Sequence, residues 1–154
     1  MITKLWILIN TLLDKIASFL PDPLLLAMRL YWGWQFFETG KGKLMNLDKT
    51  TEFFTSLNLP FPRFNVIMAG STECFGGLLL LIGLFSRVIS VPLVFTMVVA
   101  YLTADIDKVK GIFQEPDKFV SADPFLFMLT AILVFAFGPG KLSADYLLAR
   151  RTRR

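Results

Sequence analysis

FNVIMAGSTECFGGLLLLIGLF, from Phe64 to Phe85, decides the fold. One charged side chain, Glu73, interrupts a run of apolar and small residues. As a helix rising about 1.5 Å per residue, the stretch reaches roughly 33 Å, enough to cross a hydrocarbon core of about 30 Å. It reads as a membrane-spanning segment. Outward from it, Ser86-Arg87 makes a very short turn, and a further span covers about 88–104 with Pro92 in its first turn, where a missing N–H costs little. Upstream, Asp22 as N-cap and Pro23 at the first helical position start a span over about 24–39 that stops at Gly40. A polar stretch with amphipathic character follows (41–62), and a charged loop occupies 105–123. The last span begins at Pro124 and runs over about 124–137 to the break at Gly138-Pro139-Gly140, after which Ser143 can cap a short C-terminal helix over about 143–149.

Composition agrees with lipid as the solvent. The chain has 154 residues, 55% of them apolar and only 18% charged, and its mean hydropathy is +0.60. A soluble domain carries about a quarter charged residues. The expected architecture is therefore all-α: one transmembrane domain over residues 1–154, an integral membrane four-helix bundle preceded by an interfacial amphipathic helix. That leading helix is read over about 2–19, where Lys4, Asp14 and Lys15 share one side and Leu5, Leu8, Ile9, Leu12, Leu13 and Ile16 fill the rest. A cleaved signal is the rival reading, although no small-residue cleavage site precedes Pro21-Asp22-Pro23.

The net charge of +4 does not point to nucleic acid. Arg150, Arg151, Arg153 and Arg154 cluster at the end of the chain, beside an apolar segment, and read as a cytoplasmic anchor against anionic headgroups. No basic stripe interleaved with aromatics appears elsewhere. Lys and Arg are nearly balanced between the two loop sides, so placing both termini in the cytoplasm rests mainly on this tail. There is no histidine and one cysteine, Cys74. A bis-imidazole haem, a His or Cys metal site and a dithiol relay are thereby excluded within the chain. No metal and no resident cofactor is expected, and redox chemistry would need a borrowed cofactor, such as a loosely bound quinone, or a partner.

Two charges fall inside predicted spans, Arg29 and Glu73. An unpaired charge at mid-membrane costs about 3 kcal/mol on insertion scales, so the two are expected to pair across neighbouring helices. The pair reads either as an ion pair that fixes helix register or as the polar floor of a cavity for a quinone, a lipid headgroup or another small ligand; a proton relay through Glu73 is a third reading. Gly70 and Gly77 share the face of Glu73, and Gly33 and Gly40 share that of Arg29, spacings that permit close helix packing. Tyr31, Trp32, Trp34, Phe36 and Phe37 suit an interfacial belt or the lining of a pocket.

Several segments resemble the DoxX family of small bacterial and archaeal membrane proteins. They are Arg29-Leu30 through Gly33, Phe36 and Gly40 to Lys43-Leu44; Phe53-Phe54 with Leu57-Asn58-Leu59-Pro60; Glu73 through Gly76-Gly77, Leu81 and Gly83-Leu84 to Arg87; and Gly138-Pro139-Gly140-Lys141-Leu142-Ser143-Ala144-Asp145. Together they extend from about Leu25 to Leu148. The resemblance implies a four-helix, multi-pass protein of the cytoplasmic (inner) membrane, in a family named after a subunit of an archaeal quinol oxidase system. Some of its bacterial members are linked to membrane complexes that handle oxidative or thiol stress. The expected function is a non-catalytic accessory subunit of a quinone-linked redox complex. Its partners would be the lipid bilayer, a membrane-associated oxidoreductase and copies of itself in a homo-oligomer. A membrane chaperone or stress-linked scaffold, and a small lipid-binding or transport protein, are the alternatives.

Overall fold

The computed structural model describes residues 2–152, and every regular element among them is a helix. These are α1 (Ile2–Ala17), α2 (Pro21–Met45), α3 (Leu47–Ser56), α4 (Pro62–Ile82), α5 (Ser86–Thr103), α6 (Ile106–Lys110), α7 (Pro116–Val120), α8 (Asp123–Phe137) and α9 (Ala144–Thr152). Arg153 and Arg154, half of the arginine tail, lie outside the described residues.

Helix α2 packs along α4, α4 against α5, α5 against α8, and α8 touches α2. The core where they meet holds Phe36, Leu80, Leu93, Met97, Ala131 and Val134. Helix α3 lies on α4. Along α1 no side chain from Thr3 to Ala17 is buried. Helices α4 and α5 are long and apolar enough to cross a membrane, and α8 is a shorter apolar helix.

Around this apolar core the placement of side chains departs from the usual water-soluble pattern at both extremes. Arg29, Glu73, Ser86, Ser90 and Thr130 are buried, whereas Phe75, Val88, Phe95, Phe135 and Phe137 face outward. A water-soluble surface would have to hydrate those apolar side chains.

Several boundaries differ from the sequence reading. Gly40 does not end α2, which continues to Met45, because the glycine sits in close contact with α4 and its missing side chain serves packing. Asp22 does not cap α2, which starts at Pro21; the carboxylate instead accepts a bond from the Lys141 N–H at 2.8 Å. The α4–α5 turn lies at Gly83–Phe85, ahead of Ser86-Arg87, because Gly83 takes a left-handed φ of 75° that ends α4. Pro92 consequently falls in the interior of α5. The polar stretches at 41–62 and 105–123 fold in part into α3, α6 and α7.

Candidate functional site

The seam between α2 and α4 is made by backbone approaching backbone. A Cβ at Gly33 would come within 2.9 Å of the Leu81 nitrogen, and one at Gly77 within 2.6 Å of the Gly33 oxygen. Gly40 abuts Gly70 and Cys74, and Gly70 receives the side chain of Leu44. Gly33 thus lies opposite Gly77–Leu81 and Gly40 opposite Gly70–Cys74, so the helices run antiparallel. At so short a separation Gly is the only residue that avoids a clash of main chains.

Both charges of the spans are sealed along this seam, Arg29 at 0% exposure and Glu73 at 2%. They do not pair. Glu73 forms an ion pair with Lys43, whose side chain is 28% exposed. Arg29 donates from Nη2 to the Leu142 carbonyl at 2.6 Å and from Nη1, at 3.4 Å, to the Leu80 carbonyl in the last turn of α4. The expectation of an Arg29–Glu73 contact is therefore corrected. The reason is directional, because the Cα–Cβ bonds of an α-helix tilt toward its N-terminus. In an antiparallel pair, Arg29 leans toward the C-terminal end of α4 and Glu73 toward the C-terminal end of α2. Glu73 and Leu80 are seven residues, about 10 Å, apart along α4, and the two side chains lean away from each other across that distance. Lys43 leans back from the end of α2 and meets the carboxylate.

Arg29 sits where cations are favoured, at the carbonyl-rich end of a helix. Its Nε is buried with no hydrogen-bond partner among the described residues. Around it the GPGKLSAD segment folds back over the α4–α5 turn. Asp145 joins the two helices there: its N–H donates to the Gly83 carbonyl at 2.9 Å. Its carboxylate accepts the N–H groups of Phe85 at 2.8 Å and Ser86 at 2.9 Å. It thereby satisfies free donors at the start of α5. Ser143 Oγ accepts the Tyr146 N–H at 3.3 Å and caps α9.

Asp22 and Lys141 tie the start of α2 to the same segment through an ion pair of 3.0 Å. The Lys141 N–H, followed by its ammonium, holds the Asp22 carboxyl below its ordinary value, and the carboxylate in turn raises the Lys141 ammonium.

Lys43 and Asp145 stand in the family-like segments, but sequence reading gave neither of them a role. Lys43 falls three residues after Gly40 and seven after Phe36, on the buried face of α2, a signal that ending the helix at Gly40 conceals. The aromatics of α2 form no common lining. Trp32 and Phe36 pack on Phe127 of α8, while Tyr31 and Trp34 are exposed. Cys74 is a half-buried free thiol. No cluster of three or more His, Cys, Asp or Glu side chains able to hold a metal ion occurs among the described residues.

Two clefts open away from the seam. One lies at the α4–α5 turn and holds about 510 Å³; the other, about 460 Å³, lies among charged residues of 107–118. Neither is lined by Arg29 or Glu73.

Comparison with known proteins follows this geometry. The chain is 30% identical over 120 residues to a Bacillus subtilis (strain 168) protein named "Putative oxidoreductase CatD", an overlap of 78% of this chain and 83% of that one. No solved structure matches it. The family model described as DoxX matches residues 24–106, which contain the whole α2–α4 seam, both of its buried charges and the α4–α5 turn. The chain belongs to the DoxX family.

Proposed function

We propose that residues 1–154 form one integral membrane domain of the cytoplasmic membrane, serving as a non-catalytic accessory subunit of a quinone-linked redox complex. Helices α2, α4, α5 and α8 carry its four spans, over about 24–39, 64–85, 88–104 and 124–137, α1 lies in the interface, and both termini face the cytoplasm. The observation that carries the membrane part is the placement of side chains outside the apolar core, with Arg29 and Glu73 buried and Phe95, Phe135 and Phe137 exposed. Support for the redox part comes from DoxX membership and from the oxidoreductase name of the Bacillus subtilis relative.

A chain with no histidine and a single cysteine brings few ligands of its own, so the redox centre in this reading belongs to the partner. A quinone head held here would need a free donor facing a cavity. The Nη groups of Arg29 go to carbonyls, its Nε is buried away from both clefts, and Glu73 is matched by Lys43. The two residues do not fit a shared quinone site, and the quinone too is assigned to the partner complex.

A second reading, a membrane scaffold or chaperone without small-molecule chemistry, draws on the same observation that both buried charges have internal partners. Gentle purification from native membranes, followed by mass spectrometry of bound proteins and lipids, separates the two. An oxidoreductase subunit in stoichiometric amount is the expected result. Recovery of non-redox partners alone would replace the accessory role with the scaffold. Release of the chain by alkaline carbonate would remove the membrane reading.

A further inference from the structure

The cleft at the α4–α5 turn has two kinds of wall. Phe85, Val88 and Phe137 line one part, and each is more than 60% exposed. Arg87, Lys141 and Tyr146 line another. Two carboxylates, Asp22 and Asp145, also border it, and both are already engaged. Asp22 is held by Lys141, and the two oxygens of Asp145 accept the N–H groups of Phe85 and Ser86. Lys141 is committed in turn to Asp22.

Arg87 is different. It is exposed and forms no ion pair among the described residues. Its guanidinium lies over Gly138, where a Cβ would come within 3.4 Å of Nη2. Gly138 has a φ of 82°, a backbone turn that glycine permits. The result is an uncommitted guanidinium fork at the edge of an apolar wall, at the helix ends that carry the termini.

We propose that this cleft binds the phosphate head of an anionic phospholipid. The Arg87 guanidinium takes the phosphate oxygens, a planar donor set suited to bidentate contact. Phe85, Val88 and Phe137 cover the first carbons of the acyl chains. The inference rests on the membrane reading above and adds a defined lipid site to it.

The test uses the full chain in nanodiscs of equimolar phosphatidylglycerol and phosphatidylcholine, washed with delipidating detergent, with retained lipid counted by mass spectrometry. Wild type is expected to retain phosphatidylglycerol preferentially. Arg87→Gln should lower the retained ratio by about fivefold, the effect of one basic side chain at an anionic surface. Arg87→Lys, which keeps the charge and loses the fork, should fall between the two. Arg63→Gln, at the opposite end of α4, should leave the ratio unchanged. Equal ratios in wild type and Arg87→Gln would overturn the proposal, as would displacement of the lipid by glycerol 3-phosphate alone, which would make the cleft a site for free phosphate esters. A chain that resists alkaline carbonate yet shows no Arg87-dependent retention overturns this inference and leaves the membrane reading standing. A chain that washes off overturns both.

Discussion

The two ends of the α2–α4 seam each bury a charge, and they satisfy it by opposite means. At one end the Arg29 guanidinium is fully enclosed and donates to neutral carbonyls, those of Leu80 and Leu142. At the other, the Glu73 carboxylate meets a full counter-charge on Lys43, whose side chain reaches the surface. The difference teaches what each end can do. The first is closed, and its cation is spent on holding the GPGKLSAD segment against α4. The second opens outward through Lys43, so its charge balance can respond to whatever lies beside the molecule.

The largest effect should come from the seam that fixes both ends at once. In Gly77→Val the new side chain meets the Phe37 nitrogen at 2.5 Å and the Gly33 oxygen at 2.6 Å, and main chain cannot yield as a flexible side chain does. A loss of about 4 kcal/mol is expected, at the upper end for overpacking. Denaturant unfolding of the purified protein reads it. A loss below about 1 kcal/mol would mean that the helices are not locked at this register.

Next comes the closed end. Arg29→Met keeps the bulk and removes two charge-assisted hydrogen bonds, leaving the Leu142 carbonyl without its donor. About 3 kcal/mol should be lost. Hydrogen exchange should rise selectively across 138–147 while residues 40–45 stay protected. Uniform loosening of both ends would break the comparison, because it would show that the two sites do not act separately.

Much of this was legible in the sequence, and the failures have physical causes. The apolar run around Glu73 marked α4, and the glycine spacings marked one face on each of two helices. Glycine misled at Gly40, because a residue that ends helices in water also lets helices touch, and its role depends on a neighbour that the sequence does not display. The pairing of Arg29 with Glu73 failed for want of direction: opposite charges on antiparallel helices were matched by sign, without the N-terminal tilt of their side chains. Applying that tilt sends Glu73 toward the C-terminal end of α2, where Lys43 is the buried-face cation. Asp145 was illegible for a different reason. Its partners, the N–H groups of Phe85 and Ser86, lie some 60 residues away in sequence, and no local pattern announces a cap supplied from such a distance.

The open end should show an asymmetry. Lys43→Met leaves a buried carboxylate without its counter-charge, whereas Glu73→Gln leaves an ammonium that can turn outward. Breaking a fully buried pair costs about 3–5 kcal/mol, and the partial exposure of Lys43 reduces that, so about 2 kcal/mol is expected for Lys43→Met and about 1 kcal/mol for Glu73→Gln. The double variant Lys43→Met with Glu73→Gln should be more stable than Lys43→Met alone, because it removes the orphaned charge. Thermal unfolding of the four proteins completes the cycle. Equal costs for the two single variants would mean that Lys43 is as enclosed as Arg29, and the contrast between the ends would vanish.

The smallest effect lies at the periphery of the closed end, in the Asp22–Lys141 tie. The Asp22 carboxyl is held below its ordinary value of 3.8, so its contribution is complete above that pH and is lost as pH falls through the lower, folded value. The Lys141 ammonium is raised above 10.5, so its contribution is complete below that pH and fades only as pH rises through the higher, folded value. Stability from this pair is therefore flat across neutral pH and gives way at acid and alkaline extremes. Asp22→Asn should flatten the acid limb of the melting temperature below about pH 4. It should change the neutral value little, since Lys141 is 66% exposed and a pair so solvated contributes little. If Asp22→Asn lowers stability as strongly at neutral pH as Arg29→Met does, then the GPGKLSAD segment is held from its rim, and the buried guanidinium is the lesser of its two anchors.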